Sequence, residues 1–424
     1  MPRVDELELP RFDYTDPAMR GERFHGAMRD LRAQGWLAAG PFGYMVLDRE
    51  AGEFFLRNRA TIFPGMKIAE IFEVGEGPLY EEMRRNILHI NGPDHTRLRS
   101  LVNPALSPRA VERYRPLMRE MLDSLWEGSL GAGRSGECEF VETFAKPYPS
   151  QAIAHFMGAP VADAPRLHHW SNWIQRQFDA VSMVQERAGI EQAVAEFYEY
   201  AWALLRTRRE SPGDDLISAL IAAESEGERL SDVECVNLVL NVLVGGVDTT
   251  QSQLAHALRL FAEHPHQWAL LAQRPHELAP RAVEEVLRFE PITPFTARIV
   301  VEELTFRDVT FPAESIVMVC AFTGNRDPGG DGAGGDAQAG DAASAGGDPE
   351  RFDIAAARGR ARTLTFGAGV HYCLGANLAR VELEEALAYL APRMPDLQLA
   401  GEPVYEGITG IYGLAALPLR FAAA

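Results

Sequence analysis

Apolar residues at three- and four-residue spacing dominate this chain. They recur from Val111 to Leu130, Ile190 to Arg209, Ser231 to His264, Pro280 to Phe289 and Leu378 to Met394, the period of helices that bury one face. Apolar/polar alternation is confined to Tyr44–Asp48, Arg298–Thr305 and Ser315–Phe322, with a weaker patch near the C-terminus. The pattern predicts a mainly α protein with a minor β part. Its longest helix opens on a capping box, Ser231-Asp-Val-Glu234, and closes before Pro265, a rise of about 50 Å at about 1.5 Å per residue. The middle of that helix, Leu243-Val-Gly-Gly-Val-Asp-Thr-Thr250, is poor helix sequence. Each glycine costs about 1 kcal/mol relative to alanine, and threonine competes for backbone carbonyls. The helix is expected to open there.

The chain's 424 residues would suffice for about three domains, yet no Pro/Ser-rich linker divides it, so one domain is expected. The tract from Pro328 to Asp348 is Gly, Ala and Asp with almost no large apolar side chain. Too little apolar surface is present to offset the entropy of ordering it, and it reads as a solvated, low-complexity insertion. Formal charge is 41 − 60 = −19, which disfavours nucleic acid and anionic membrane as partners. The N-terminus lacks an apolar stretch long enough for a signal peptide or anchor, so a soluble, cytoplasmic protein is expected. Cys138, Cys235, Cys320 and Cys373 are scattered without a Cys-x-x-Cys pair, against a zinc site or a disulfide framework.

One cysteine stands apart. Cys373 lies in a loop with Gly367, Gly369 and Gly375, directly before an apolar-periodic helix. Glycines let backbone approach a flat ligand, and loop N–H groups with a helix N-terminus stabilise a thiolate. A lone thiolate suits a metal whose other ligands come from a cofactor. The run Phe366-x-x-Gly369-x-His371-x-Cys373-x-Gly375 resembles the haem-binding signature of the cytochromes P-450, with every defining position filled. The resemblance extends over nearly the whole chain. It implies the family fold in a single large haem domain, haem b as cofactor, Cys373 as the iron ligand, and Phe366, Gly369, His371 and Gly375 as its frame.

What else the resemblance implies falls on matching positions. Gly245-Gly-Val-Asp248-Thr249 is similar to the family's acid–alcohol motif, so Asp248 and Thr249 are expected to manage protons during oxygen activation. His95 and Arg99, four apart on one helical face, are expected to hold the haem propionates together with Arg298 and His371. Glu285-Val-Leu-Arg288 matches the family's Glu-x-x-Arg, expected to be buried and completed by Arg351 into a structural triad. The substrate walls are expected to include Leu240, Val244 and Gly245 on the long helix, Ile292, Thr293 and Phe295, and Ile411 and Tyr412. Thr293 and Tyr412 are the polar members. Ile62 to Ile90 and Trp170 to Val184 are expected to form the lid. These walls are mainly apolar, so a small or medium-sized hydrophobic substrate follows.

The expected activity is a haem-thiolate monooxygenase of bacterial type. It would insert one atom of O2, with electrons from a ferredoxin and its NAD(P)H-dependent reductase. A basic patch drawn from Arg97, Arg109, Arg113, Arg360, Arg362 and Arg380 is a docking candidate. A peroxide-driven oxidase would lack the Asp248–Thr249 pair, whereas an oxidative coupling enzyme would share every motif. A haem sensor or carrier, a different class, would have no use for proton delivery.

Overall fold

The computed structural model describes residues 1–130, 136–225, 227–327, 347–358 and 363–422. All but the last two residues of the Gly/Ala/Asp tract lie outside them, as do Arg360 and Arg362. Two compact units emerge. The first comprises Met1–Pro64, Arg281–Cys373 and Tyr405–Gly413; the second comprises Gly65–Pro280, Leu374–Val404 and Leu414–Ala424.

The first unit is built on a sheet of β1 (Leu37–Gly40), β2 (Gly43–Val46), β3 (Thr61–Ile62), β4 (Phe295–Val300) and β5 (Ile316–Cys320), in the order β1-β2-β5-β4-β3. Only the β2/β5 pair is parallel, with Val317 opposite Tyr44 and Val319 opposite Val46. The three alternating stretches of the sequence therefore meet in one sheet, β5 pairing with β2 on one side and, with Val317 opposite Arg298, with β4 on the other. Phe55, Phe311, Val317, Val319 and Leu364 pack into one apolar cluster. Phe12, Tyr14, Phe24, Phe322 and Tyr412 pack into a second.

The second unit is helical. We label α1 (Pro78–Arg85), α2 (Gly92–Val102), α3 (Ala164–Gln175), α4 (Arg187–Glu210), α5 (Asp232–Gly246), α6 (Asp248–Glu263) and α7 (Ala376–Leu390). α4 packs against α1, α3 and α5, and α6 against α7. The Ser231–Glu234 capping box is present, with the Ser231 N–H donating to Glu234 Oε2 at 2.8 Å. The long periodic segment is not one helix: it breaks at Val247 into α5 and α6. Together they form the one stretch among the described residues apolar enough to cross a membrane, and 61% of its most apolar window is buried within the protein, as a core helix requires. α7 is pinned by ion pairs from Arg115 to Glu384 and Glu385, at 2.6 and 2.9 Å, and from Arg119 to Glu385 at 2.6 Å.

Candidate active site

The approach to Cys373 is built from side chains that satisfy backbone. The Leu364 N–H donates to Asn325 Oδ1 at 2.7 Å, Asn325 Nδ2 donates to Thr365 Oγ1 at 2.9 Å, and Thr365 Oγ1 donates to the Leu287 carbonyl at 2.6 Å. After the turn Leu364–Phe366 the chain enters positive φ at Gly367 and again at Gly369. A Cβ on Gly369, at φ +71°, would sit 2.5 Å from the Leu56 carbonyl oxygen, so only glycine fits. The Cys373 N–H returns to the Phe366 carbonyl at 2.9 Å, closing the loop. His371 lies with its ring 6.1 Å from that of Phe63, and Phe366 meets Tyr372 edge-on at 6.3 Å.

Cys373 differs from the other cysteines. All four are among the described residues and none forms a disulfide; Cys373 is the exposed one. Burial pushes the thiols of Cys138 and Cys235 up to about 12 and raises that of Cys320, which makes them inert. No group of three or more His, Cys, Asp or Glu among the described residues is placed to hold a metal ion. A metal on Cys373 would therefore take its remaining ligands from a cofactor.

Arg298, in the same unit, is 2% exposed. Its Nη1 donates to the Ala297 carbonyl at 2.8 Å, and burial alone pushes the guanidinium down to about 10. No carboxylate among the described residues pairs with it. A buried cation without an anion is costly, and a propionate would supply that anion. In the second unit His95 is 3% exposed on α2, its imidazole pushed down to about 4 by burial and then by Arg99 one turn on. The donor chemistry at these positions fits an acidic cofactor.

The α5/α6 break places the acid and the alcohol. Gly246 meets Ile153, with a Cβ there falling 2.3 Å from its Cδ1, while a Cβ on Gly245 would meet nothing within 4 Å. One glycine allows close packing and the other leaves open space. Thr249 Oγ1 donates to the Gly245 carbonyl at 2.5 Å, so the side chain takes up a carbonyl that the break exposes. Asp248 is 5% exposed. Its Oδ2 accepts from Ser171 Oγ at 2.5 Å and its Oδ1 from Asn172 Nδ2 at 3.4 Å. Burial raises its pKa, and the Ser171 hydrogen bond and the His168 charge act against that rise.

The Glu285–Arg288 pair is bidentate and buried, at 2.8 and 2.9 Å. The expected third member needs correction. The second guanidinium on Glu285 belongs to Arg358, at 3.1 and 3.3 Å. The Arg351 side chain is exposed, and Arg351 contributes its backbone carbonyl to Arg288 Nη2 at 3.0 Å. Arg358 reaches the carboxylate from the far end of the 347–358 segment, a long-range contact with no spacing to announce it.

Among the expected substrate walls, Leu240 and Val244 are buried and Ile292 is 6% exposed, while Thr293 and Ile411 are half-buried. Tyr412 is a second correction. It is wholly buried, stacked on Tyr405 and edge-on to Phe24, with its hydroxyl accepting from the Gly21 N–H at 2.8 Å. Phe295 likewise turns toward Phe12, Tyr14 and Phe24. Both serve an aromatic core. In the basic patch, Arg97 is ion-paired to Glu228 and Glu234 and Arg113 to Asp214. Sequence reasoning missed Glu82 on α1, a fully buried carboxyl in the supposedly apolar lid. It also missed Ser171, Asn325 and Thr365, which have no motif to mark them.

The chain is similar to known proteins over nearly its whole length. The family model for Cytochrome P450 matches residues 72–273, 267–329 and 348–390. Luteothin monooxygenase of Streptomyces thioluteus is 34% identical over 420 residues, covering 98% of this chain and 97% of its own. Mycinamicin IV hydroxylase/epoxidase of Micromonospora griseorubida is 36% identical over 75% of each chain. Among solved structures, that of CalO2 superposes with a TM-score of 0.85 at 30% identity, covering 98% of this chain and 100% of that one. That of cytochrome P450 CYP109Q5 from Chondromyces apiculatus gives 0.83 at 28% identity, with coverage of 98% and 100%.

Proposed function

The chain belongs to the cytochrome P450 family, whose members are oxidoreductases that bind haem, and on that premise we propose how its own residues carry a monooxygenase reaction. The observation that carries the reading is the glycine-constrained loop that leaves Cys373 exposed while the other thiols are buried or half-buried. When bound, haem b would supply O2 activation and transfer of one oxygen atom to the substrate, the other leaving as water. Cys373 would ligate the iron through Sγ. Arg298, His95, Arg99 and His371 would hold the propionates.

We assign Asp248 to proton movement, because its carboxyl is buried, which favours the protonated form, while Ser171 and Asn172 hold it in place. Thr249 holds its hydroxyl on the Gly245 carbonyl and presents its remaining lone pairs beside the open space at Gly245. We read the pair as the donor that directs a proton to the leaving oxygen. Electrons would come singly from a ferredoxin and its NAD(P)H-dependent reductase. Because Arg97 and Arg113 are occupied internally, we place less of the docking on them than on Arg109. Because the family match runs from residue 72 to residue 390, we treat the chain as one functional haem domain. The buried Leu240 and Val244 support a substrate with an apolar body.

The test is a reduced carbon monoxide spectrum followed by turnover with ferredoxin, its reductase and NAD(P)H. The strongly red-shifted Soret band of thiolate haem and reductase-dependent product are expected. Product only with added peroxide would favour a peroxide-driven oxidase, and a thiolate band without turnover on any substrate would favour a sensor or carrier.

A further inference from the structure

Glu82 is a costly side chain in the second unit to explain. It lies on α1, wholly buried. Its Oε1 accepts from Asn86 Nδ2 at 2.6 Å, while Oε2 has no protein partner. Burial pushes the carboxyl up to about 7, opposed by the Asn86 hydrogen bond and the neighbouring Gln177 amide. Gln177 is 2% exposed; its Nε2 donates to the Ile174 carbonyl at 3.2 Å, which fixes the amide, and its Oε1 is unpartnered. On α5, Asn237 is 2% exposed and donates to Tyr198 Oη at 2.7 Å, with Oδ1 unpartnered. Tyr198 is close enough to Glu82 to feel its charge. One turn further along α5, Asn241 accepts from the Ile87 N–H at 3.1 Å and leaves Nδ2 unpartnered.

Three of these four orphaned atoms are acceptors, and one belongs to a carboxyl. Buried polar groups are normally satisfied, so the missing partner is a donor, and a cationic one suits the carboxylate best. Asn237, Asn241 and Gly245 recur every four residues on one face of α5, ending at the open space beside Gly245. We propose that Glu82, Gln177, Asn237 and Asn241 form a subsite for the protonated amine of the substrate, a primary or secondary alkylammonium whose apolar body continues along α5. The inference rests on the monooxygenase reading above and narrows its substrate class from hydrophobic to amphiphilic and cationic.

The surrounding charges leave this role to Glu82. On α1, Arg85 is paired with Glu81 at 2.6 Å. Beyond α1, burial holds His89 down to about 4, so it is neutral. On α4, Tyr198 is pushed up to about 12 and is also neutral. Beside Gln177, Arg176 is held by Glu186 at 2.8 Å. α5 offers amides. The Glu82 carboxyl is thus uncharged below about 7 and ionised above it, and ammonium affinity should rise with pH through that range.

The experiment uses the reduced holoenzyme capped with carbon monoxide, which keeps an amine off the iron. Calorimetric titrations with dodecylamine and dodecanol are run about one pH unit either side of 7, on wild type and Glu82→Gln. Wild type should bind one dodecylamine roughly tenfold more tightly than dodecanol at the higher pH, with the preference shrinking at the lower pH and absent from Glu82→Gln. Equal affinities in wild type would overturn the subsite. So would a preference that survives Glu82→Gln, or multi-site binding indifferent to pH. Should Glu82→Gln fail to fold, the pH comparison on wild type decides alone. A carbon monoxide complex lacking the red-shifted thiolate band would overturn the haem-thiolate reading, and the subsite with it.

Discussion

The cysteine loop and the α5/α6 break position their chemistry by opposite means. In the loop, backbone is immobilised: Asn325 and Thr365 clamp its entry, the Cys373 N–H closes on Phe366, and Gly369 passes within reach of the Leu56 carbonyl. In the break, side chains do the holding: Thr249 donates to the Gly245 carbonyl, and the Asp248 carboxyl accepts from Ser171 and Asn172. The difference follows from the tasks. A metal ligand must hold one geometry, whereas proton donors must exchange partners during a cycle. Substitutions in the loop should therefore remove the cofactor's signature, and substitutions in the break should leave it and damage the use of oxygen.

The largest effect is expected at Cys373. Cys373→Ser should abolish the red-shifted band of the reduced carbon monoxide complex and cost activity more than the roughly 10–100-fold typical of a ligand's supporting residues. Retention of that band would assign the iron to another residue. Next is Gly369→Ala, which combines a left-handed backbone, about 1–2 kcal/mol, with a contact against immobile backbone, about 1–3 kcal/mol. Haem occupancy and thermal midpoint should both fall; a loop that tolerates alanine is not held as described.

The loop's support gives a smaller effect and a choice between two arginines. Arg358→Ala removes charge-assisted hydrogen bonds from buried Glu285 and should cost about 1–2 kcal/mol, with Glu285 still held by Arg288. Arg351→Ala should fall within about 0.5 kcal/mol, since its side chain is exposed and its hydrogen bonds here are made by backbone that alanine retains. Denaturant midpoints on the two variants decide it, and the reverse order would restore Arg351.

These regions were unevenly legible from sequence. The break at Val247 follows from glycine and threonine propensity, and the cysteine loop from the spacing of its glycines, because both are local conflicts with a regular element. Arg358 and Glu82 were not legible. Arg358 is one of three arginines in alternate positions from 358 to 362, and which reaches Glu285 depends on the path of the chain. Glu82 adjoins Glu81 in an apparently polar helix; Glu81 pairs with Arg84 and Arg85 at 2.8 and 2.6 Å, while Glu82 points inward because α4 and α5 cover that face. Tyr412 failed for the same reason: a sheet-side aromatic core fixes its place, and no period marks it.

In the break, Thr249→Ala should preserve the thiolate band and iron reduction while product formed per NAD(P)H oxidised falls by about tenfold, the balance appearing as hydrogen peroxide. Thr249→Ser should restore most of the coupling. An unchanged ratio in the alanine variant would mean that the hydroxyl only caps the Gly245 carbonyl.

The smallest effect separates the two glycines of the break. Gly246 packs against Ile153, so Gly246→Ala must displace the end of that side chain and is expected to cost about 1 kcal/mol net, the helix-propensity gain offsetting part of the overpacking. Gly245 faces open space, so Gly245→Ala meets no atom, and the same propensity gain should stabilise the fold by up to about 1 kcal/mol. The two variants thus move the unfolding midpoint in opposite directions, although they are adjacent and chemically identical. Their effect on coupling should differ as well. A methyl at 245 projects beside the carbonyl that Thr249 engages and should lower product per NAD(P)H, while one at 246 is directed into packing and should leave the ratio nearly unchanged. If both variants lost stability and kept their coupling, Gly245 would be another packing glycine, and the break would be no more adapted to moving protons than the cysteine loop.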